Sequence, residues 1–225
     1  MNETQTFYCE SGMNRKIYYD VHENGLIYRP DGDEKLSIRW RDIQYIEDRS
    51  ANRVDIFLNE QKAVPVHYAT NEFPVLLKTI CLKLADIHNE KFDSLNFTIT
   101  LIYLLHLSFV TSVIVLSVIG SLLVDKTLFF ILSTLFVPFG IFILRQQISL
   151  TLNNHGFTVR NLLTNRAVDY NKIRNIDFEA KSNEYGGTLC ILINLKNRKK
   201  MTIKKIENII LFFIRLQIKL DENTN

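Results

Sequence analysis

Cysteine is scarce and scattered in this chain of 225 residues. Its three cysteines, Cys9, Cys81 and Cys190, lie far apart, are odd in number and form no CxxC pair. A disulfide framework or a cysteine-based metal site is therefore not indicated, and free thiols are typical of a reducing compartment. We expect neither a cofactor nor a metal ion.

Signatures of catalysis and of nucleic-acid binding are also missing from the sequence. The chain has no nucleophile elbow, zinc-binding helix, kinase signature or paired-carboxylate motif. Its basic residues are not interleaved with aromatic ones, which argues against nucleic acid as a partner. The first 20 residues are polar and lack the apolar core of a signal peptide. The absence of catalytic signatures favours a non-enzymatic protein.

Charged side chains are absent from two long stretches in the middle of the chain. Residues 94–124 contain no Asp, Glu, Lys or Arg, residues 127–144 contain none either, and a single Asp-Lys pair separates the two stretches. About 20 apolar residues are enough to cross the core of a bilayer as a helix. The sequence therefore predicts a transmembrane hairpin with helices over 97–124 and 127–145.

The residues around this hairpin predict an orientation. Lys91 and Arg145 flank the outer ends of the two helices, which favours a multi-pass protein of the inner (plasma) membrane with both termini in the cytoplasm. His106 is the one ionisable side chain deep in a span, and such a group is a candidate functional residue. The alternative is a neutral imidazole that bonds a neighbouring hydroxyl. The small residues Ser117 and Ser121 are compatible with close helix packing and with a homo-oligomer.

The two flanks of the hairpin carry opposite charge. Residues 1–96 contain 12 Lys and Arg against 16 Asp and Glu, a net charge of −4. Residues 145–225 contain 14 against 7, a net charge of +7. The basic flank is expected to face the acidic flank, an acidic partner or anionic lipid.

The two flanks also resemble each other. Apolar and polar residues alternate over 17–21, a turn containing Gly25 follows, and an apolar run resumes at 26–28. Residues 148–152 and 157–159 repeat this pattern at an offset of 131. Both copies therefore predict two strands joined by a glycine turn.

The match continues beyond these turns and ends each time in a helical pattern. The first helix is predicted from Asn71. The second is predicted over 206–220, where the residues are apolar almost all round, so that this helix needs cover on more than one side. Trp40, the single tryptophan, is expected to anchor the core. At an offset of 130, Trp40, Ile43 and Ile46 correspond to Tyr170, Ile173 and Ile176.

This order of short strands followed by one helix resembles a pleckstrin-homology-like (PH-like) fold. The segments that carry the resemblance are IRWRDIQYIE at 38–47, GFTVRNLL at 156–163 and AVDYNKIRNIDFE at 167–179. They are similar to bacterial PH-like membrane proteins, including the YcxB-like group. The resemblance implies an α+β membrane protein with two PH-like β-sandwich or barrel domains, each with a C-terminal helix. The implied organisation is a polar segment 1–14, a first domain 15–93, spans 97–124 and 127–145, and a second domain 146–221.

The strongest surface signal is a run of basic residues near the end of the chain. On PH-like domains such basic loops meet lipid phosphates or acidic partners, and each Lys or Arg contributes about 1 kcal/mol near an anionic surface. The simpler interpretation is a solvated turn. The run consists of Lys196, Arg198, Lys199, Lys200, Lys204 and Lys205.

These observations together favour a membrane-anchored, non-enzymatic PH-like scaffold that binds a protein partner or anionic lipid headgroups. Two alternatives stay open. One is an oligomeric transport or channel component that uses the hairpin and His106. The other is an enzyme with a site between the two domains.

Overall fold

The same order of elements occurs twice along the chain. The computed structural model describes residues 4–11, 15–30, 35–49, 52–59, 61–87, 95–98, 108, 111–112, 114–115, 118–120, 147–161, 164–183, 186–204, 206 and 208–223. The first repeat consists of β1 (Gln5–Ser11), β2 (Arg15–His22), β3 (Gly25–Arg29), β4 (Leu36–Arg39), a 3-10 turn (Trp40–Asp42), β5 (Tyr45–Asp48), β6 (Arg53–Asn59), β7 (Lys62–His67) and helix α1 (Phe73–Ile87). The second consists of β8 (Leu95–Thr98), β9 (Gln147–Leu152), β10 (Gly156–Asn161), β11 (Asn165–Asp169), a 3-10 turn (Tyr170–Lys172), β12 (Ile173–Asn183), β13 (Gly186–Leu195), β14 (Lys200–Lys204) and helix α2 (Ile209–Glu222).

The described strands form four small antiparallel sheets in which sequence neighbours pair. The first repeat has the orders β1-β2-β3-β4 and β5-β6-β7, and the second has β11-β10-β9-β8 and β12-β13-β14. The predicted glycine turns are confirmed, since β2 pairs with β3 around Gly25 and β9 with β10 ahead of Gly156.

The chain divides into two compact units. Unit 1 comprises Met1–Phe92, Tyr170–Lys204 and Asn208–Asn225. Unit 2 comprises Asp93–Asp169 and Lys205–Glu207, and its described core is the four-stranded sheet β11-β10-β9-β8. Leu150, Phe157 and Val168 are buried in that sheet.

The core of unit 1 forms where the two helices meet. Helix α1 packs against α2 and β12, and α2 packs against β5 and β13 as well. Phe178 of β12 stacks on Phe213 of α2 with ring centroids 4.1 Å apart. The prediction that the second helix is covered on several sides is confirmed, because α2 buries Ile209, Ile210, Phe212, Phe213, Ile214, Leu216 and Ile218.

The glycines at the two repeated turns sit where no side chain fits. A Cβ added to Gly25 would lie 2.1 Å from the carbonyl oxygen of Ile38 on β4. A Cβ added to Gly156 would lie 2.3 Å from the carbonyl oxygen of Val168 on β11. Close backbone approach of this kind is what an interior glycine in a strand permits.

Trp40 anchors the core of the first repeat, as predicted. Its side chain is 3% exposed. Its indole Nε1 donates hydrogen bonds to the carbonyl oxygens of Glu23, at 2.9 Å, and His22, at 3.2 Å. The ring therefore fills space beneath the sheet and also ties down the β2–β3 turn.

The expected fold class requires correction. Two PH-like sandwich or barrel domains were expected, one on each side of a transmembrane hairpin. The structure instead has four small sheets, and β12–β14 and α2 of the second repeat belong to unit 1 with the first repeat. The physical reason is that each helix buries its apolar surface against the other helix and against a strand of the other repeat.

The predicted transmembrane hairpin is also corrected. Among the described residues no helix is long and apolar enough to span a membrane. Phe97 and Thr98, at the start of the predicted first span, belong to β8 and pair with Leu150 and Ser149. The predicted two-span membrane partnering and the multi-pass location in the inner membrane are therefore not supported. His106 and the second span, 127–145, lie outside the described residues.

His67 at the end of β7 gives unit 1 a dependence on pH. Partial burial lowers the pKa of His67 below its ordinary value, and the charge of Arg53 acts in the same direction against that of Asp55. Because the unfolded chain binds this proton more readily, the contribution of His67 to stability should be full above about pH 7 and should fall as pH drops below about 6.5. The urea midpoint of the wild type should be lower below about pH 6.5 than above about pH 7. The corresponding decrease should be smaller for H67N. H155Q, at an exposed histidine, serves as the control. If the midpoint of H67N decreased with pH as much as that of the wild type, the pH dependence would not come from His67.

Candidate functional site

The β13–β14 turn is held in one shape by its own backbone. The amide of Leu195 donates to the carbonyl oxygen of Lys199 at 2.9 Å, and that of Arg198 donates to Leu195 at 3.0 Å. Asn197 accepts from the amide of Lys199 through its side-chain oxygen at 3.1 Å. Arg198 adopts a left-handed φ of 65°, a conformation that non-glycine residues adopt at a cost of about 1–2 kcal/mol.

The basic side chains of this hairpin point into solvent. Lys205, the sixth member of the predicted run, lies outside the described residues. No ion pair joins the other five to a carboxylate in the part of the chain that the structure describes. We call these exposed side chains the basic turn: Lys196, Arg198, Lys199, Lys200 and Lys204.

A cleft with many polar groups opens beside the basic turn. It lies within unit 1 and has a volume of about 470 Å³. Helix α1, the start of β12, the β13–β14 turn and the end of α2 all contribute to its walls. We call it the polar cleft; its lining comprises Lys78, Leu82, Tyr170, Asn171, Ile173, Arg174, Asn175, Ile176, Lys196, Gln217, Leu220, Asp221 and Asn223.

The charges of the polar cleft are unequally engaged. Lys78 Nζ donates to the carbonyl oxygen of Ile176 at 2.9 Å and forms an ion pair with Asp177. Asp221 accepts a hydrogen bond from the side-chain amide of Gln217 at 2.9 Å. Arg174 and Lys196 are exposed and form no ion pair with a described carboxylate. The cleft therefore carries two cations that have no ion-pair partner among the described carboxylates, together with the carboxylate of Asp221 at its other end.

A second cleft of unit 1, of about 530 Å³, is mostly apolar. Tyr45 on its wall is 47% exposed and stacks on Phe57 with ring centroids 4.4 Å apart, and Leu211 is 39% exposed. We call it the apolar cleft; its lining comprises Ile43, Gln44, Tyr45, Ile46, Glu47, Leu84, Asn208, Ile210, Leu211, Ile214 and Arg215.

The cysteines offer no thiol chemistry at either cleft. All three are free and buried. Burial is the main cause that raises the pKa of Cys9, Cys81 and Cys190 above the ordinary value of a thiol. Among the residues that the structure describes, no group of His, Cys, Asp and Glu side chains is arranged to hold a metal ion.

The basic turn was predicted from the sequence, whereas Arg174 and the two clefts were not. A sequence signal was available for Arg174 alone, because this residue occupies the position that Gln44 has in the first repeat, at the offset of 130 that relates Trp40 to Tyr170. The two copies therefore differ at this position by one positive charge, which is present only in the second repeat.

No family model matches this chain, and no curated protein matches it either. The resemblance to PH-like and YcxB-like membrane proteins is therefore not supported, since no model of such a family matches and no described helix is long and apolar enough to span a membrane.

Proposed function

We propose that this chain is a non-enzymatic binding protein whose basic turn engages an acidic segment of a protein partner. The observation that carries the proposal is the presence of five exposed cations on one hairpin with no described carboxylate paired to any of them. Exposed charges of one sign attract an oppositely charged partner over a distance and raise the rate of association.

The geometry of the turn supports this proposal. Backbone hydrogen bonds hold the hairpin in register, so its cations are presented with little further loss of backbone entropy on binding. Arg198 occupies a left-handed position that glycine would fill with less strain.

The test uses the purified full chain and a short fluorescein-labelled polyglutamate peptide as the acidic probe. The variant K199E/K200E should weaken binding, measured by fluorescence anisotropy, by about tenfold or more, since it replaces attraction by repulsion at the turn. K35E/K62E is the matched control, because it changes the net charge equally at two exposed lysines of the first repeat and should bind nearly as the wild type does.

Removing the strained arginine separates binding from stability. R198G should weaken binding of the peptide, because a cation is lost, while the urea midpoint should stay unchanged or rise. Equal losses in K199E/K200E and K35E/K62E would reduce the effect to net charge and overturn the proposal. Binding to vesicles of anionic lipid without binding to the peptide would overturn it as well.

A further inference from the structure

The polar cleft and the apolar cleft occupy equivalent places in the two repeats. Each cleft is lined by the residues that follow the 3-10 turn of its own repeat. The offset of 130 relates Gln44 to Arg174 and Tyr45 to Asn175. Each cleft is completed by the C-terminal part of its own helix, represented by Leu84 in α1 and by Leu220 in α2. The opposite helix supplies a further part of the wall in each case.

The two clefts have diverged in charge at these equivalent positions. Where the apolar cleft has the uncharged amide of Gln44, the polar cleft has the guanidinium of Arg174. Where the apolar cleft has the ring of Tyr45, the polar cleft has the smaller amide of Asn175. Lys196 of the basic turn also lines the polar cleft, so this residue belongs both to the basic turn and to the cleft.

The charges that remain available select an anionic ligand. The ion pair with Asp177 already neutralises Lys78. Asp221 and the carbonyl end of α2 disfavour an anion at their end of the cleft. Arg174 and Lys196 are left, and an arginine fork is suited to a carboxylate because it can donate two parallel hydrogen bonds.

We infer that the polar cleft is an anchoring pocket for one carboxylate side chain of the acidic segment that the basic turn attracts. This inference rests on the proposed function and adds a defined place to it. A volume of about 470 Å³ lies within the range of ligand-binding pockets. The exposed turn provides attraction from a distance, while Arg174 and Lys196, both exposed on the wall of the cleft, bind one carboxylate of the segment.

The decisive variant is R174Q, which gives the polar cleft the residue of its counterpart. Loss of a charge-assisted hydrogen bond should lower the affinity for the polyglutamate peptide by about tenfold and should make binding less dependent on salt concentration. Q44E is the matched control, because it changes the charge of the apolar cleft by the same amount and should leave the affinity within about twofold of the wild type.

A second measurement locates the peptide independently of affinity. On adding the peptide to the full chain, the side-chain amide signals of Asn171, Asn175 and Asn223, which line the polar cleft, should shift in the NMR spectrum. Those signals should stay in place when the peptide is added to R174Q at the same concentration.

The outcomes separate this inference from the proposed function. If K199E/K200E binds weakly but R174Q binds as the wild type does and the cleft amides do not shift, the turn binds alone and the inference is wrong. If R174Q and Q44E weaken binding equally, the cleft has no specific role. If neither the turn variant nor R174Q loses affinity, the proposed function fails together with the inference.

Discussion

Replacing Gly25 by alanine should lower the free energy of unfolding by about 3 kcal/mol, near the upper end of the range for an overpacked core. The added Cβ would lie 2.1 Å from the carbonyl oxygen of Ile38 and 3.1 Å from the Cα of Arg39. Both neighbours are backbone atoms of the paired strand β4, so no side chain can rotate away. The strands must separate, and the Gly25–Arg39 pairing must weaken.

Urea unfolding followed by far-UV circular dichroism measures this effect. The midpoint should fall with the slope unchanged. G156A should behave similarly, since its Cβ would lie 2.3 Å from the carbonyl oxygen of Val168. G120A is the control, because an added Cβ there meets no described atom within 4 Å and alanine favours a helix. A G25A midpoint equal to that of G120A would contradict the close approach.

Replacing Trp40 by alanine should cost about 3–5 kcal/mol, as is typical when a buried aromatic side chain is removed. The loss has two sources, the cavity left by a side chain that is 3% exposed and the loss of the donor to the carbonyl oxygens of His22 and Glu23.

The variant W40F separates these two sources. It keeps most of the apolar volume but removes the indole N–H, so it should cost about 1–2 kcal/mol. Both variants are compared with the wild type by urea unfolding monitored by circular dichroism, which does not depend on the tryptophan as a probe. If W40F were as unstable as W40A, the hydrogen bonds would dominate and the cavity argument would be wrong.

Local patterns were predictable because they depend on neighbouring residues. The glycine turns, the strands at 17–21 and 26–28, the buried Trp40 and the cover of α2 on more than one side follow from period and turn chemistry. Strand β1 was not predicted, and it lies in the segment 1–14, outside the predicted first domain. Its alternation, with Phe7 and Cys9 buried between exposed neighbours, covers too few residues to stand out from a polar terminus.

The hairpin prediction failed because absence of charge is a weaker signal than it looks. Leu95 and Phe97 alternate with Asn96 and Thr98, which is a strand pattern inside an uncharged run, and these residues pair with β9. The clefts were out of reach for another reason. They depend on which strand each helix packs against, and apolar faces alone do not specify a partner.

The discontinuous make-up of unit 1 has a consequence for synthesis on the ribosome. Helix α1 buries Leu76, Leu77 and Ile80 completely, and part of its cover comes from β12 and α2. Asp93–Asp169 must be translated before Tyr170–Lys204 emerges, which takes roughly 4 to 15 s at about 5–20 residues per second. During that interval the apolar face of α1 lacks the part of its cover that β12 and α2 supply, and it gains that cover only when the C-terminal segments arrive.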